Sequence, residues 1–308
     1  MLYLIPKDMS EFIGREHELE DLENHYRSGK FEFVVIYGRR RVGKTSLIQE
    51  FVKDKKNIFF TAFQATATRL VEAMGKMIGN ATNDFDVILD EIVKISSDER
   101  LVLVIDEFPL LAESDPAVLG QLQACIDHRL KNTQLFLILC GSSMSFMLAH
   151  VLGGQSPLYG RRTLQMQISP MDYYESARFL LGRTPQECME IYGVTGGIPM
   201  YLQEFGSVGD VYDKIYNLFY KRNALLNSEP MSLIMQEVKA PQRFNVVIEA
   251  VADGYSRVSE VSLKTGLDSG EVSRILGALI DLGIISKKSP VDEKNSKKTK
   301  YVLCDHLF

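Results

Sequence analysis

Gly38-Arg39-Arg40-Arg41-Val42-Gly43-Lys44-Thr45 decides how the rest of this 308-residue chain is read. The spacing is G-x-x-x-x-G-K-T. Its glycines let the backbone wrap closely around phosphate groups, so that successive N–H groups and a helix N-terminus face the anion. Lys44 is then placed to reach the β- and γ-phosphates, and the Thr45 hydroxyl to bind Mg²⁺. The flanks agree. Phe33-Val34-Val35-Ile36-Tyr37 reads as a buried strand, and Ser46 to Val52 as a helix. A mere Gly-Lys turn accounts for the motif but not for a strand before it and a helix after it. The expected phosphate contacts are Gly38, Arg39, Arg40, Arg41, Val42, Gly43, Lys44, Thr45 and Ser46, although the three arginines also read as bases on the loop rim.

Two further strands end in chemistry. Leu101-Val102-Leu103-Val104-Ile105 runs into Asp106-Glu107, which puts Asp106 at the carboxyl edge of a sheet as a second Mg²⁺ ligand, usually through water. Glu107 beside it is placed to orient or deprotonate an attacking water. Leu135-Phe136-Leu137-Ile138-Leu139-Cys140 ends in Gly141-Ser142-Ser143. Ser142 there reads as a sensor of the γ-phosphate or the water; equally well, Ser142 or Ser143 reads as the cap of the next helix.

Outward from these motifs, residues 1–170 alternate apolar strands with amphipathic helices, the rhythm of an α/β domain with a parallel sheet. Expected strands are Phe31–Tyr37, Asn57–Thr61, Leu101–Ile105, Gln134–Cys140 and Thr163–Ile168. Expected helices lie near Glu16–Ser28, Lys44–Asp54, Thr68–Gly79, Phe85–Ser97, Pro116–Lys131 and Ser143–Leu152. After Pro170 the pattern is helical, and residues 171–240 read as a helical lid. Residues 241–308 read as a winged helix: helices at Phe244–Asp253, Val258–Thr265 and Ser269–Leu282, then a hairpin of Ile284–Lys288 with Lys300–Cys304.

Composition excludes several classes. Hydrophobic residues make up 45% and charged residues 24%, an ordinary globular balance. The longest apolar run, Leu135 to Cys140, is far short of a membrane helix, and the N-terminus lacks signal-peptide architecture. Cys125, Cys140, Cys188 and Cys304 show no metal or disulfide spacing, so the expectation is a reducing cytoplasm. The five histidines show none either. Net charge is −5, yet residues 241–308 carry +1, and Lys287 to Lys300 holds six lysines against two acids. The apolar end, Tyr301 to Phe308, reads as the interior of a longer chain.

These pieces in this order resemble an AAA+ ATPase core. Phe12-Ile13-Gly14-Arg15-Glu16-x-Glu18-Leu19 is similar to the segment before the phosphate loop in archaeal initiator ATPases and STAND ATPases. Gly196-Gly197-Ile198-Pro199 resembles the G-G-x-P turn of STAND proteins, and Ser156 to Arg162 resembles a segment of the archaeal and bacterial ATPases whose AAA+ core precedes a winged helix. The resemblance implies a P-loop AAA+ parallel sheet with helices on both faces, the strand ending at Ser142 lying between the loop strand and the Asp–Glu strand. It implies ATP as nucleotide, in keeping with the lack of an N-K-x-D guanine motif. It also assigns Phe12, Ile13, Gly14, Arg15 and Pro199 to the nucleotide, and Arg161 or Arg162, Arg161 first, to an arginine finger. Met200 stands where initiator ATPases place a basic sensor, which implies slow turnover. The resulting expectation is a slow Mg-ATPase whose hydrolysis moves the lid and winged helix. The alternative is a nucleotide-held scaffold or docking module with little turnover.

Expected partners are DNA, through the Lys287–Lys300 wing on phosphates and the Ser269–Leu282 helix in a groove, or a protein, an absent C-terminal domain or a second copy of the chain. Glu271 and Asp281 on that helix weaken direct base readout.

Overall fold

A computed structural model describes residues 12–238, 240–289 and 299–308. The chain forms two compact units, one ending at Ser169 and the other starting at Pro170.

In the first unit, helix α1 (Glu16–Tyr26) precedes strand β1 (Glu32–Tyr37), and helix α2 (Lys44–Val52) leads to β2 (Asn57–Thr61). Helices α3 (Ala67–Met77) and α4 (Phe85–Asp98) carry the chain to β3 (Leu101–Asp106). Helices α5 (Phe108–Ser114) and α6 (Ala117–His128) lead to β4 (Leu135–Gly141), and a short helical segment, α7 (Met144–Phe146), continues as a wider turn to Val151 before β5 (Leu164–Gln167). The sheet order is β2-β3-β4-β1-β5, parallel throughout. Strand β4, which ends at Ser142, therefore lies between the loop strand β1 and the Asp–Glu strand β3, as the resemblance implied. Every residue of β1, β3 and β4 is buried. That is why these strands read as continuous apolar runs rather than alternating ones: helices cover both faces. The one charge within β1, Glu32, accepts a hydrogen bond from the Ser28 hydroxyl at 2.8 Å.

Register gathers the chemistry. Tyr37 pairs with Gly141 on one side and Gln167 on the other, and Ile105 pairs with Leu139. The residues at the end of each strand, Gly38, Asp106–Glu107 and Ser142, thus emerge at one carboxyl edge. Helix α5 is missing from the sequence reading, whose first expected helix after β3 is Pro116–Lys131. Its seven residues are too few to show a period, and Pro109 sits in its first turn. The N-cap of α6 is Pro116, and Asp115 before it accepts from the Ala117 N–H at 2.9 Å.

In the second unit, α8 (Tyr173–Ala177), α9 (Pro185–Thr195), α10 (Pro199–Phe205) and α11 (Val211–Ile215, continuing as a wider turn to Tyr220) pack around Leu180, Cys188, Ile191, Leu202, Phe205 and Val211. Arg183 fastens the loop after α10 by donating to the carbonyls of Gly206, Val208 and Gly209. In α12 (Glu229–Glu237), buried Glu229 accepts from the Tyr201 hydroxyl at 3.1 Å. Then come α13 (Pro241–Ala252), α14 (Val258–Thr265), α15 (Ser269–Asp281) and an antiparallel pair, β6 (Ile285–Lys288) with β7 (Lys300–Leu303). Each expected element of residues 241–308 falls within a few residues of its reading. The core side of α15 is Val272, Ile275, Leu276 and Leu279, an i, i+3, i+4, i+7 stripe.

Candidate functional site

The loop between β1 and α2 is held at both flanks. Gly38 has φ +156°, and a Cβ there would lie 2.3 Å from the Ile168 carbonyl oxygen, so only glycine allows the chain after β5 to run this close. Gly43 caps α2 in the left-handed region, and Arg41 within the loop adopts it too. On the far flank Val42 is fully buried, and its carbonyl accepts from the Arg15 guanidinium at 3.2 Å.

Lys44 curls back into its own loop. Its Nζ donates to the Gly38 carbonyl at 2.8 Å and the Arg39 carbonyl at 2.9 Å. Burial pushes its ammonium below the ordinary lysine range; Cys140, Glu107 and Asp106 pull it back up, and Arg40 lowers it further. A buried cation in this position is favoured by an incoming anion, which replaces the water it has lost.

Two carboxylates sit opposite. Thr45 Oγ1 donates to Asp106 Oδ2 at 2.9 Å, across 61 residues of sequence. The other oxygen, Oδ1, accepts from the Glu107 N–H at 3.0 Å. Glu107 itself has φ +50°, a left-handed backbone uncommon outside glycine and asparagine, and caps α5. That turn sends its side chain toward the end of β4, where Ser142 Oγ donates to Glu107 Oε2 at 2.8 Å. The Ser142 N–H lies 3.4 Å from the same oxygen. Ser142 thus faces Glu107, while Ser143 takes the N-cap position of α7 without a side-chain cap bond. Gly141 is needed for this approach, because a Cβ there would meet Met147 Sδ at 2.7 Å and the Pro109 ring at 2.8 Å.

Cys140 is the residue the sequence reading missed. Its thiol is buried beside Asp106 and Lys44, and burial together with Asp106 holds it protonated, well above the usual thiol range. It serves as a compact, neutral floor to the site. The one signal available was its place two residues before Ser142.

The remaining expected residues divide. Phe12 and Ile13 are half-buried, and Gly14 and Arg15 are buried. Arg15 sits at φ +64° and its side chain reaches Glu18 at 3.0 Å, the Val42 carbonyl and the Ser169 carbonyl. The guanidinium is thus spent on protein groups that shape the loop. Ser46 is exposed in the first turn of α2. Pro199 opens α10 in the second unit, where Gly197 packs on the Met171 backbone, its Cβ position only 1.9 Å from the Met171 carbonyl oxygen.

Arg161 is not brought to its own phosphate loop. Thr163 pairs with Phe33 at the start of β1, so Arg161 lies at the amino edge of the sheet. Along a strand rising about 3.3 Å per residue, that is roughly 15 Å from Gly38. There it is engaged by Asp127, donating from Nε at 3.0 Å and Nη2 at 2.6 Å, and by the carbonyls of Pro157 and Tyr159. The hydrogen bond to Arg161 in turn holds the Asp127 carboxyl down at about 2. Arg162 lies over the Tyr159 ring, 5.7 Å from its centroid. An arginine at the amino edge cannot act on the loop of the same chain.

On α15, Ser273, Arg274 and Gly277 are exposed, while Glu271 is bound by Arg243. Of the expected wing, residues 290–298 lie outside the described residues. No described helix is long and apolar enough to cross a membrane.

A family described as an ATPase domain predominantly from Archaea matches residues 12–205, which takes in the loop, both carboxylates, Ser142 and the Gly-Gly-Ile-Pro turn. The chain belongs to that family. An uncharacterized Methanocaldococcus jannaschii protein, MJECL04, is 32% identical over 302 residues, 96% of this ATPase and 67% of the relative. Among solved structures, the Walker-type ATPase PABY2304 of Pyrococcus abyssi superposes with a TM-score of 0.70 at 19% identity, covering 97% of this chain and 95% of the other. The Aeropyrum pernix ORC1 protein, solved in complex with DNA, gives 0.52 at 14%, covering 96% and 90%. These likenesses establish a P-loop ATPase fold.

Proposed function

We propose that this ATPase binds Mg-ATP and hydrolyses it slowly to switch the position of its helical lid and of a winged helix formed by α13–α15 and the β6–β7 pair. The observation that carries the reading is the pairing of Thr45 with Asp106 and of Glu107 with Ser142 at one sheet edge. The oxygen donors of Thr45 and Asp106, already 2.9 Å apart, suit a hard cation of the Mg²⁺ type, which takes few protein ligands and keeps its waters. Bound there, it would neutralise phosphate charge.

The chain's own groups supply the rest. Loop amides and the α2 N-terminus face the phosphates, and Lys44 exchanges its two carbonyl partners for phosphate oxygens. Glu107, released from or still held by Ser142, accepts a proton from water aligned with the bond to be broken. Phe12 to Arg15 line the nucleoside side by resemblance.

Glu107→Gln keeps shape and removes the base. The expected result is ATP binding like wild type with turnover reduced at least about a hundredfold, within the range of general-base contributions. Binding by both proteins with turnover by neither supports the second reading, a nucleotide-held scaffold. Running the same assay with duplex DNA tests the partner. The exposed Arg274 face of α15, and the complex with DNA in which the Aeropyrum neighbour was solved, favour acceleration by DNA that fades steeply with salt.

A further inference from the structure

The phosphate loop carries more positive charge than a phosphate cradle requires. Backbone amides and one lysine suffice for that task, yet Arg39, Arg40 and Arg41 add three cations just ahead of Lys44. The three are not equivalent. Arg39 and Arg41 are half-buried and have protein partners. Arg40 is exposed, and among the described residues it makes no hydrogen bond, ion pair or ring contact. Its backbone lies between two fixed flanks, Gly38 against Ile168 and Val42 under Arg15. An exposed guanidinium with no protein partner keeps all of its donors for an incoming anion.

Of the other arginines of this unit, Arg27 is likewise exposed and without a partner among the described residues, but it follows α1 ahead of the amino end of β1; four more are committed or distant. Arg161 is at the wrong edge and committed to Asp127. Arg100 spends its guanidinium on the carbonyls of Lys30, Gln134, His25 and Tyr26. Arg15 is spent on Val42, Ser169 and Glu18. Arg69 stacks near Phe63 after β2, three strands away from β1.

We propose that Arg40 is a catalytic arginine acting in cis, its guanidinium closing on the γ-phosphate oxygens as charge develops during transfer to water. The inference rests on the hydrolysis reading above. In the step it serves, a water oxygen bonds to the γ-phosphorus and the bond from that phosphorus to the β–γ bridging oxygen breaks. The bridging electron pair leaves on ADP. The water proton passes to Glu107 and then to solvent or product phosphate. Arg40 exchanges no proton; it meets negative charge with a planar fork that a lysine ammonium does not reproduce.

The test compares wild type, Arg40→Ala and Arg40→Lys by steady-state turnover and by titration with a fluorescent ATP analogue. Formation of a complex with ADP plus aluminium fluoride, which mimics the transferring phosphoryl group, is read separately. Wild-type turnover is the control for the underlying reading. The expected outcome is a kcat at least about a hundredfold lower in Arg40→Ala, with nucleotide Kd within about threefold of wild type. ADP still binds, the aluminium fluoride complex is lost, Arg40→Lys recovers little, and added guanidinium ion recovers part of kcat. Wild-type turnover with Arg40→Ala within about twofold of it overturns the proposal alone. So does a rise in Kd with kcat unchanged, which makes Arg40 a ground-state contact. Absence of wild-type turnover overturns the proposal and the hydrolysis reading together.

Discussion

The two edges of the central sheet hold similar residues and use them in opposite ways. At the amino edge, Arg100 has its donors on four backbone carbonyls and Arg161 has its donors on Asp127, Pro157 and Tyr159. At the carboxyl edge, Lys44 is held only by the carbonyls of its own loop, and Arg40 makes no bond to the described protein. At the first edge both of these cations are taken up by protein groups. The second carries cations that the fold has used little, at a cost in desolvation visible in the depressed Lys44 ammonium; in the function proposed above they await a phosphate. What separates a structural cation from a functional one here is how much of its hydrogen-bonding capacity the fold has already used.

The sharpest way to break this contrast is to remove one cation from each edge. Lys44→Ala is expected to weaken ATP binding by about a thousandfold, since two charge-assisted hydrogen bonds to phosphate are worth roughly 1.5–3 kcal/mol each. Its melting temperature should stay near that of wild type. Isothermal titration and thermal unfolding read the two sides. Arg100→Ala should behave in reverse: a loss of about 3 kcal/mol in urea unfolding, from four orphaned carbonyls and a vacated site between Tyr26 and Phe136, with nucleotide affinity retained. If Arg100→Ala instead abolishes binding while leaving stability intact, the division between edges is wrong.

Ser142→Ala sharpens the picture within the carboxyl edge. It leaves Glu107 without its side-chain partner while the loop is untouched, so kcat is expected to fall about fivefold with unchanged Kd, the rate equivalent of one hydrogen bond. An equal loss in nucleotide affinity would show Ser142 acting on the loop instead.

The smallest effect belongs to the rim. Asp127 is held at about 2 by Arg161, below an unfolded-state value near 4. A depressed carboxylate stabilises the fold above its unfolded pKa and loses that contribution as pH falls through the folded value. Asp127→Asn should therefore cost less than about 1 kcal/mol at pH 7, because the pair is 22% and 25% exposed and screened by solvent. The gap between wild type and variant should close between about pH 4 and pH 2, and ATP turnover should not change. A gap that widens on acidification would sink the assignment.

Much of the site was legible because its determinants are contiguous. Gly38 to Thr45 names its own chemistry, and the apolar runs before Asp106 and Ser142 place both residues at strand ends without any tertiary information. The three helices and hairpin of residues 241–308 were legible for a related reason: each apolar stripe repeats at its own helical period, as α15 illustrates. The seven-residue α5 was not legible, since it spans too few turns to show a period.

The sequence by itself determined that a glycine-bounded loop ending in Gly43-Lys44-Thr45 would join β1 to α2, and that a carboxylate pair would close a strand nearby. Local spacing is enough for that, because a tight loop and a strand end impose their residues directly. Only the tertiary structure decided which distant groups meet. It set Ser142 on Glu107 across 35 residues, Arg15 on Ser169 across 154, and Arg161 on the far edge with Asp127. Those outcomes follow from strand order and register, which are fixed by how the buried faces of the whole sheet pack and are written in no single segment of the chain.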